Sequence, residues 1–466
     1  MPKLICRGWQ FAALALAFCV SMAGLPVIEA QGKNPWLKPS GRKPASSNWT
    51  GFQNGGQPMI GSGMLPTNWS PNAGSFAWQA PIEGYGQSTP VIWDEQVFVT
   101  STSGANKEQC HLSAYDLKEG KRWWKRDFTN PTPEEKTAYV SLAAPTPIVD
   151  ANGLLALFEG GLLVAVDLDG AERWQRNLVA EYGPIKARHG LAASLEQNDS
   201  NAFVWIERNE EPYLLAVSKS TGETVWKVPG LSATSWASPR LVPTEHGPHL
   251  VANAHGKAVG FDPISGERLW ELSGIENNTS CTPVPCGLGK FLIGASDGRG
   301  EESSGSGTPS SGVVQIVRDP TSGDYSADYL WRAERASCSF GSPVASDTRA
   351  FFVNRSGVLF QLDLATGEET SAARIKAGSI WATPVIAHNQ LYLFGQKGTT
   401  SIVSLTSGEE EQSCILWLEP TEAPAEGESV AKASGGSVLY AAAVAARYLI
   451  LRQGSRLTAI QSEISK

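Results

Sequence analysis

The sequence is poor in the residues that build short catalytic or metal-binding motifs. Its 466 residues include only seven Cys and six His. No two Cys are adjacent, and no Cys-x-x-Cys occurs. No Gly-x-Ser-x-Gly motif or phosphate-binding loop rises above chance. We therefore predict no catalytic residue and no metal site.

Positive charge is scarce as well. Lys and Arg number 38 against 46 Asp and Glu, which gives a net charge of −8. There is no long basic run and no RNA- or DNA-binding signature. An acidic chain of this kind repels a polyanion, so we predict no nucleic-acid partner.

A long apolar run occurs at the N-terminus, where it has the organisation of a secretory signal. Lys3 and Arg7 precede the apolar residues 11–20, and Ala23 or Ala30 fits a cleavage position. The run is too short to favour a spanning helix, with an uncleaved anchor as the alternative. We predict export to the periplasm or the outside, with no transmembrane segment after cleavage.

The rest of the chain is organised by a repeated phrase, clearest at 260–270: an apolar strand ending at Asp, a turn with Gly, and a strand ending at Trp. Recurrence at a fixed period indicates an array of one supersecondary unit. We expect the Asp to close a turn rather than to bind metal, and the Trp to plug the gap between packed sheets. The predicted structural residues are Asp116, Trp124, Asp167, Trp174, Trp226, Asp262, Trp270, Asp363 and Trp78.

A second phrase, Ser or Thr followed by Pro and an apolar residue, begins most units, as at 89–91, 282–284 and 383–385. Proline suits the start of a strand or an edge, so this strand is predicted to begin at a central channel. Each unit then consists of four strands: the proline strand, an apolar strand, the strand ending at Asp and the strand ending at Trp.

The units count to eight, with seven as the alternative. Trp78 lies in a strand with no unit before it, and the C-terminus offers three strands with no Trp strand after them. We predict an all-β, eight-bladed β-propeller of four-stranded antiparallel blades, closed by the N-terminal strand, which removes open edges. The predicted boundaries are 1–30 for the signal, 31–75 for a linker and an irregular segment lying over the surface, and 76–461 for the propeller. The predicted Trp column includes Trp331 and Trp417, and the sixth unit has Ser371 instead.

Five Cys lie beyond the predicted signal: Cys110, Cys281, Cys286, Cys338 and Cys414. An odd number cannot all pair. Cys281 and Cys338 fall on the first strands of neighbouring units, where a disulfide is one alternative. Isolated buried thiols are the interpretation that the sequence alone favours.

The phrase at 216–226 and 260–270, Ala-x-Asp-x-x-Thr/Ser-Gly-x-x-x-Trp with small variations, resembles the PQQ repeat of quinoprotein alcohol dehydrogenase-like β-propellers. The resemblance covers about residues 76–461, and the segment from Trp49 to Val91 is similar to secreted bacterial members. For the enzymes of this superfamily, the resemblance implies pyrroloquinoline quinone in the channel, with Ca²⁺ held by Glu, Asn and Asp, a catalytic Asp, and usually adjacent cysteines. This chain has no adjacent cysteines and no recognisable ligand triad.

The superfamily also has a non-catalytic branch, which includes a periplasmic propeller that helps to assemble outer-membrane proteins. For this chain, the resemblance therefore implies an exported, non-catalytic scaffold that binds a protein or peptide in the cell envelope, without a cofactor. A PQQ- and Ca²⁺-dependent oxidoreductase and a carbohydrate-binding propeller are the alternatives. The oligomeric state is left open.

Candidate ligand-binding residues lie where the repeat changes. The position three before the proline should face the channel mouth, and there stand Gln87, Ala144, Trp236, Ser280, Phe340 and Trp381. Trp236 and Trp381 could stack on a planar ligand or grip a peptide, or could simply fill the channel. Arg188 and His189 open the third unit, which has lost its proline, and could bind an anion or move a proton, or form a structural pair.

Overall fold

The computed structural model describes residues 48–56, 65–70, 76–135, 141–186, 190–207, 210–233, 235–296, 310–338, 340–415 and 438–462. Within them, 32 strands form eight four-stranded antiparallel sheets. This confirms the predicted eight-bladed propeller. One α-helical turn, α1 at Leu178–Tyr182, follows the last strand of the second blade, and a 3₁₀ helix lies at Phe52–Gly56.

In seven blades the strands follow chain order. Blades 1 and 2 contain β2 Val91–Trp93, β3 Gln96–Ser103, β4 Gln109–Asp116, β5 Arg122–Thr129, β6 Ile148–Asp150, β7 Gly153–Leu157, β8 Leu162–Val166 and β9 Glu172–Asn177. Blades 3 and 4 contain β10 Glu196–Gln197, β11 Asn201–Ile206, β12 Tyr213–Ser218, β13 Thr224–Pro229, β14 Arg240–Val242, β15 His249–Ala254, β16 Gly256–Phe261 and β17 Arg268–Ile275.

The second half of the ring repeats this arrangement. Blades 5 and 6 contain β18 Val284–Gly287, β19 Lys290–Ile293, β20 Gly312–Arg318, β21 Tyr325–Arg332, β22 Val344–Ala345, β23 Arg349–Val353, β24 Val358–Asp363 and β25 Glu369–Arg374. Blade 7 contains β26 Val385–Ala387, β27 Gln390–Phe394, β28 Thr399–Ser404 and β29 Glu410–Ile415.

Blade 8 is built from both ends of the chain. Its C-terminal strands are β30 Leu439–Ala445, β31 Tyr448–Gln453 and β32 Arg456–Gln461, and its outer strand is β1 Phe76–Pro81. The strand β1 pairs with β32, with Trp78 opposite Ala459. This is the predicted ring closure, and β2 of blade 1 lies against β30 of blade 8 at the channel.

The apolar core is divided among the gaps between blades. In the described part of the chain, each buried cluster combines the facing sides of neighbouring sheets, and one extends over blades 7, 8 and 1. Middle strands such as β7 and β8 are buried along their whole length, because each is covered on both faces by an adjacent blade. Outer strands such as β9 keep polar residues in solvent.

The residues before the propeller differ from the expectation that they lie over the surface. Trp49, Leu65 and Trp69 are each less than 5% exposed and belong to the cluster between blades 7, 8 and 1. The apolar surface of their side chains explains this burial, since covering it stabilises the fold. The predicted boundary between residues 30 and 31 lies outside the described residues and stays a prediction.

The Trp column also needs one correction. The register places Ser371 of blade 6 opposite Gln361, as expected, and Gln412 of blade 7 opposite Ile402. Gln412 therefore takes the Trp position of blade 7, so two blades lack the Trp rather than one. Trp417 itself lies outside the described residues.

Candidate functional site

The Ser or Thr before each proline forms a belt around the channel. In each of the first six blades, the backbone N–H of this residue donates to the hydroxyl of its counterpart in the next blade, at 2.9–3.3 Å. The members of this hydroxyl belt are Thr89, Thr146, Ser194, Ser238, Thr282, Ser342 and Thr383. Strand pairing places Ala441 at the corresponding position of blade 8. The belt thus satisfies inner-strand donors that no ladder reaches.

Residues 48–56, the crossing segment, lie across the channel just beyond this belt. Trp49 pairs with Ile92 of blade 1 through N–H···O bonds in both directions, and the Thr50 carbonyl accepts the N–H of Val149 in blade 2. On the far side, the Gln53 amide donates to the Thr383 hydroxyl of blade 7 at 3.2 Å. The segment therefore contacts blades 1 and 2 at one end and blade 7 at the other.

A buried ion pair anchors the crossing segment to blades 3 and 4. The Arg240 side chain is 2% exposed and donates to Glu196 Oε2 at 2.9 Å. Its other terminal nitrogen donates to the Phe52 carbonyl at 3.0 Å and to Gln53 Oε1 at 3.1 Å. Burial lowers the pKa of Arg240 and Glu196 opposes this, but an arginine stays charged in proteins. A cation held in this way fixes the position of the backbone that it contacts.

The crossing segment and the first strands of blades 5 to 8 enclose a channel pocket. Its volume is about 730 Å³, counted with the open mouth. The lining residues are Trp49, Phe52, Gln53, Gly56, Thr89, Val284, Phe340, Val344, Ala345, Trp381, Thr383, Pro384, Val385, Ile386, Tyr440, Ala441 and Ala442. None of them is charged, so the pocket suits an uncharged, largely apolar group.

Three aromatic rings from consecutive blades form a row at the pocket. The Phe340 and Trp381 ring centroids lie 5.2 Å apart, and those of Trp381 and Tyr440 lie 5.9 Å apart, both in tilted geometry. Phe340 is 48% exposed, and Trp381 and Tyr440 are half-buried. The guanidinium of Arg355 lies 5.7 Å from the Phe340 ring centroid. We call Phe340, Trp381 and Tyr440 the aromatic row.

The end of the row at blade 8 is held by a tyrosine pair. The Tyr440 and Tyr85 hydroxyls are 2.7 Å apart, and the rings meet edge to face. Burial raises the pKa of Tyr85, so its phenol is neutral at physiological pH. Behind it, Arg452 is fully buried, and this burial lowers its pKa to about 10. Arg452 donates to the Thr100 carbonyl at 2.8 Å, which ties blade 8 to blade 1.

Of the predicted ligand-binding residues, Trp236 and Trp381 lie in the described ranges, and they do not line the same pocket. Trp381 lines the channel pocket, as its place three before the proline suggested. Trp236 is half-buried, and its backbone N–H donates to the Thr279 carbonyl at 2.8 Å. It does not line this pocket. Arg188 and His189 lie outside the described residues. The partner of Trp381 is instead Phe340, which shares its position in the neighbouring blade.

The carboxylates of the repeat act within their own turns. Asp116, Asp167, Asp262 and Asp363 each accept N–H bonds at 2.6–3.0 Å from residues two to four positions later. The Gly that follows has φ between 69° and 82° in these turns, a conformation that glycine adopts without steric cost. In the described part of the chain, no three His, Cys, Asp or Glu side chains are grouped as metal ligands.

The Trp residues connect one blade to the next. The indole N–H donates at 2.8–3.2 Å to the carbonyl that follows the Asp or Ser of the next turn, for Trp78, Trp124, Trp174, Trp226 and Trp331. Each ring lies over the Gly of that turn. A Cβ on Gly222, for example, would come within 2.6 Å of the Trp174 ring. Each glycine is therefore needed both for its φ and for the close approach of the ring.

Trp270, in the clearest copy of the phrase, is the exception. Its N–H donates to His249 Nδ1 in its own blade at 2.9 Å, and its ring stacks on Phe291 of blade 5 at 6.1 Å. In blade 5 the strands β20 and β21 continue beyond β19, which carries the turn at Asp319 outward. The usual acceptor is thereby moved from its place beside Trp270.

A Ser–His–Asp chain crosses three strands of blade 1. Ser103 Oγ lies 2.7 Å from His111 Nε2, and His111 Nδ1 lies 2.6 Å from Asp127 Oδ1. The order matches that of nucleophile, base and orienting acid in hydrolases. However, Lys125 also binds Asp127, at 3.0 Å, and none of these residues lines the channel pocket. We interpret these hydrogen bonds as a structural link between the side chains of β3, β4 and β5.

Sequence reasoning missed most of this site, although signals existed for part of it. The hydroxyls of the belt were visible in the Ser/Thr-Pro phrase, and Ser194 keeps its hydroxyl where the proline is lost. Phe340 was in the set of positions three before the proline. The crossing segment had no signal, because its partners lie far away in the chain.

No helix in the described ranges has the length and apolar character needed to cross a membrane. A family model described as "Outer membrane protein assembly factor BamB" matches residues 29–187. A curated protein of the same description from Alkalilimnicola ehrlichii is 28% identical over 216 residues, which are 46% of this chain and 50% of that protein. The chain thus matches about half the length of this relative.

Solved structures show the same fold at low identity. BamB from Moraxella catarrhalis has a TM-score of 0.55 at 13% identity, covering 84% of this chain and 98% of that one. Quinohemoprotein alcohol dehydrogenase from Comamonas testosteroni has a TM-score of 0.59 at 11% identity, covering 94% and 84%. Together with the repeated turns and tryptophans, these similarities show that the chain is a PQQ-repeat β-propeller.

Proposed function

We propose that the protein is an exported, non-catalytic scaffold that binds a protein partner in the cell envelope through the channel pocket. The observation that carries this proposal is the aromatic row. Three rings from three blades meet at an open pocket whose lining has no charge. The match to BamB supports a protein partner, since the name of that relative describes an assembly factor.

The chemistry of the pocket favours an extended peptide segment with apolar or aromatic side chains. Exposed aromatic rings contribute large contact area at low entropic cost, and Trp and Tyr are common at binding hot spots. The hydroxyls of Thr89 and Thr383 and the amide of Gln53 offer hydrogen bonds to a peptide backbone. The rigid ring would hold these groups in place before binding, which lowers the entropic cost.

The proposal is tested with fluorescein-labelled extended peptides that differ in aromatic content, titrated by fluorescence anisotropy. We expect the aromatic peptides to bind saturably and Trp381→Ala to weaken binding about tenfold or more, as for a hot-spot residue. The matched control is Trp123→Ala, an equally large side chain that is 46% exposed on β5 of blade 1. Equal binding by wild type and Trp381→Ala would refute the role of the aromatic row.

The quinoprotein alternative does not fit the lining of the channel pocket. A quinone cofactor with several carboxylates and a Ca²⁺ ion needs charged or carboxylate partners. The pocket offers hydroxyl, amide and apolar groups only. The same protein sample, mixed with PQQ and Ca²⁺, tests this alternative: a retained quinone spectrum with dye-linked alcohol oxidation would favour an enzyme. Retention on immobilised glycans, lost in Trp381→Ala, would favour carbohydrate binding.

A further inference from the structure

Two buried cysteines meet at the boundary between blades 5 and 6. Cys281 precedes β18 and Cys338 precedes β22, and the two side chains are 2% and 0% exposed. A Cβ placed on Gly294 would lie 2.9 Å from the sulfur of Cys281 and 2.8 Å from that of Cys338. The sulfurs therefore converge over the one residue whose lack of a side chain leaves them room.

We propose that Cys281 and Cys338 form a disulfide that joins blade 5 to blade 6 at the channel. Both cysteines are held by the short connections that lead into inner strands, so their separation is set by the packing of the two blades. A thiol pair of this kind oxidises in exported proteins. The proposal rests on the proposed export only for the supply of oxidant.

The bond forms by thiol–disulfide exchange with a protein or low-molecular-weight disulfide. The thiolate of one cysteine attacks a sulfur of that disulfide and releases one thiol. The second cysteine, as thiolate, then attacks the mixed disulfide and releases the other thiol. Two S–H bonds are lost, one S–S bond is gained, and the two electrons reduce the external disulfide to two thiols.

The surroundings indicate when the bond forms. In the closed ring, both thiols are covered by blades 5 and 6, and burial raises the pKa of Cys338. An external disulfide cannot reach them, and the thiolate is disfavoured. The exchange therefore takes place while the chain is folding, and the finished bond is protected from reductants.

The position of the pair connects it to the aromatic row. Phe340 follows Cys338 by two residues, and the Cys281 thiol lies 3.9 Å from the carbonyl of Gly341. A bond to Cys338 fixes the connection that carries Phe340 before any ligand arrives. Oxidation would thus pre-order one ring of the row and lower the entropic cost of binding.

The test is to synthesise the full chain in a cell-free system with an oxidising glutathione couple and to isolate the folded fraction. Free thiols are alkylated in denaturant without reductant, and tryptic peptides are identified by mass spectrometry. We expect peptide 269–290, which holds Cys281 and Cys286, to be linked to peptide 336–349, which holds Cys338. Because no export is involved, the result does not depend on the proposed function.

The matched control distinguishes the two cysteines on the first peptide. Cys286→Ser should keep the link, and Cys281→Ser should lose it. Under oxidising conditions the variants Cys281→Ser, Cys338→Ser and the double variant should lower Tm by the same amount, on the order of 5 °C, because each removes the same bond. Alkylation of both Cys281 and Cys338 before reduction in the folded wild type would overturn the proposal, as would additive Tm losses.

Discussion

At the scale of single residues, the contact between Trp270 and His249 depends on pH. His249 is 3% exposed, accepts the indole N–H through Nδ1, and meets the Tyr325 ring edge to face at 4.4 Å. Acceptance requires an unprotonated Nδ1. Burial lowers the pKa of His249 to about 4, and Asp262 opposes this only partly. The packing of blade 4 against blade 5 therefore depends on a neutral imidazole.

This predicts a loss of stability in mild acid. Between about pH 6.5 and about pH 4, the unfolded chain binds a proton at His249 that the folded chain does not. The free energy of unfolding should therefore fall as pH falls through this window, by on the order of 2 kcal/mol after allowance for solvent screening. Chemical denaturation of wild type and His249→Gln at pH 7 and pH 4.5 measures the effect.

The amide oxygen of the Gln variant can still accept from Trp270, but it does not titrate. Its stability should change less with pH than that of wild type. His255→Gln, at an exposed position in the same blade, is the control and should keep the wild-type pH dependence. If His249→Gln also keeps it, the acid sensitivity arises elsewhere.

At the scale of elements, the turn between the third and fourth strands is the unit that assembles the ring. Its Asp accepts the turn N–H groups, its Gly lies beneath the preceding blade's indole, and its carbonyl accepts the indole N–H. In blade 4, for example, Asp262, Pro263 and Gly266 perform these roles for Trp226. Local turn chemistry and blade-to-blade packing are thus fixed by the same few residues.

Two glycines of nearly equal φ allow the effect of a positive φ to be measured separately from the effect of the close approach of the indole ring. Gly266 has φ 77°, and its Cβ would meet the Trp226 ring at 2.8 Å, whereas Gly274 has φ 76° and open space. Gly274→Ala should cost about 1–2 kcal/mol through backbone strain alone. Gly266→Ala should cost a further 1–3 kcal/mol, about the cost of overpacking, because the indole must move. Urea denaturation measures both, and equal losses would mean that the close approach contributes nothing.

The sequence predicted these elements where spacing is regular and failed where it is not. Asp319 and Gly323 match the phrase, but Trp331 follows Gly323 at twice the spacing by which Trp226 follows Gly222. That longer spacing signalled the extended hairpin of blade 5. In blade 7, the spacing between Gly222 and Trp226, counted from Gly408, leads to Gln412. The prediction followed residue identity rather than spacing and therefore selected Trp417.

At the scale of the whole molecule, the ring is closed by a strand from the opposite end of the chain. Strand β1 completes blade 8, and Trp78 donates to the Leu117 carbonyl of blade 1 at 2.8 Å. The fold and its closure could be predicted because the two incomplete ends complement each other. The channel pocket could not, because it depends on how residues 48–56 meet five different blades.

Trp78→Ala should weaken the ring at the contact between blades 8 and 1. The variant loses a side chain that is 8% exposed, together with its hydrogen bond, at a cost of about 3–5 kcal/mol. Hydrogen exchange should accelerate in β1, β32 and β4 first. Trp174→Ala, which removes the same kind of contact between blades 2 and 3, should leave β1 protected. If β1 is equally protected from hydrogen exchange in the two variants, the contact between blades 8 and 1 does not depend on Trp78 in particular.

The hydroxyl belt has a direction and a gap. Every bond runs from the N–H of one blade to the hydroxyl of the next, and blade 8 interrupts the series with Ala441. The hydroxyl belt is therefore not a closed circle. It begins at Thr89 in blade 1 and ends at Thr383 in blade 7, with blade 8 between them. Ala441 also lines the channel pocket, together with Thr383 and Thr89, the residues at the two ends. A ligand bound in the pocket would contact both ends of the belt and would therefore stabilise the closed ring. Occupancy of the pocket and the resistance of the ring to opening then measure the same binding free energy.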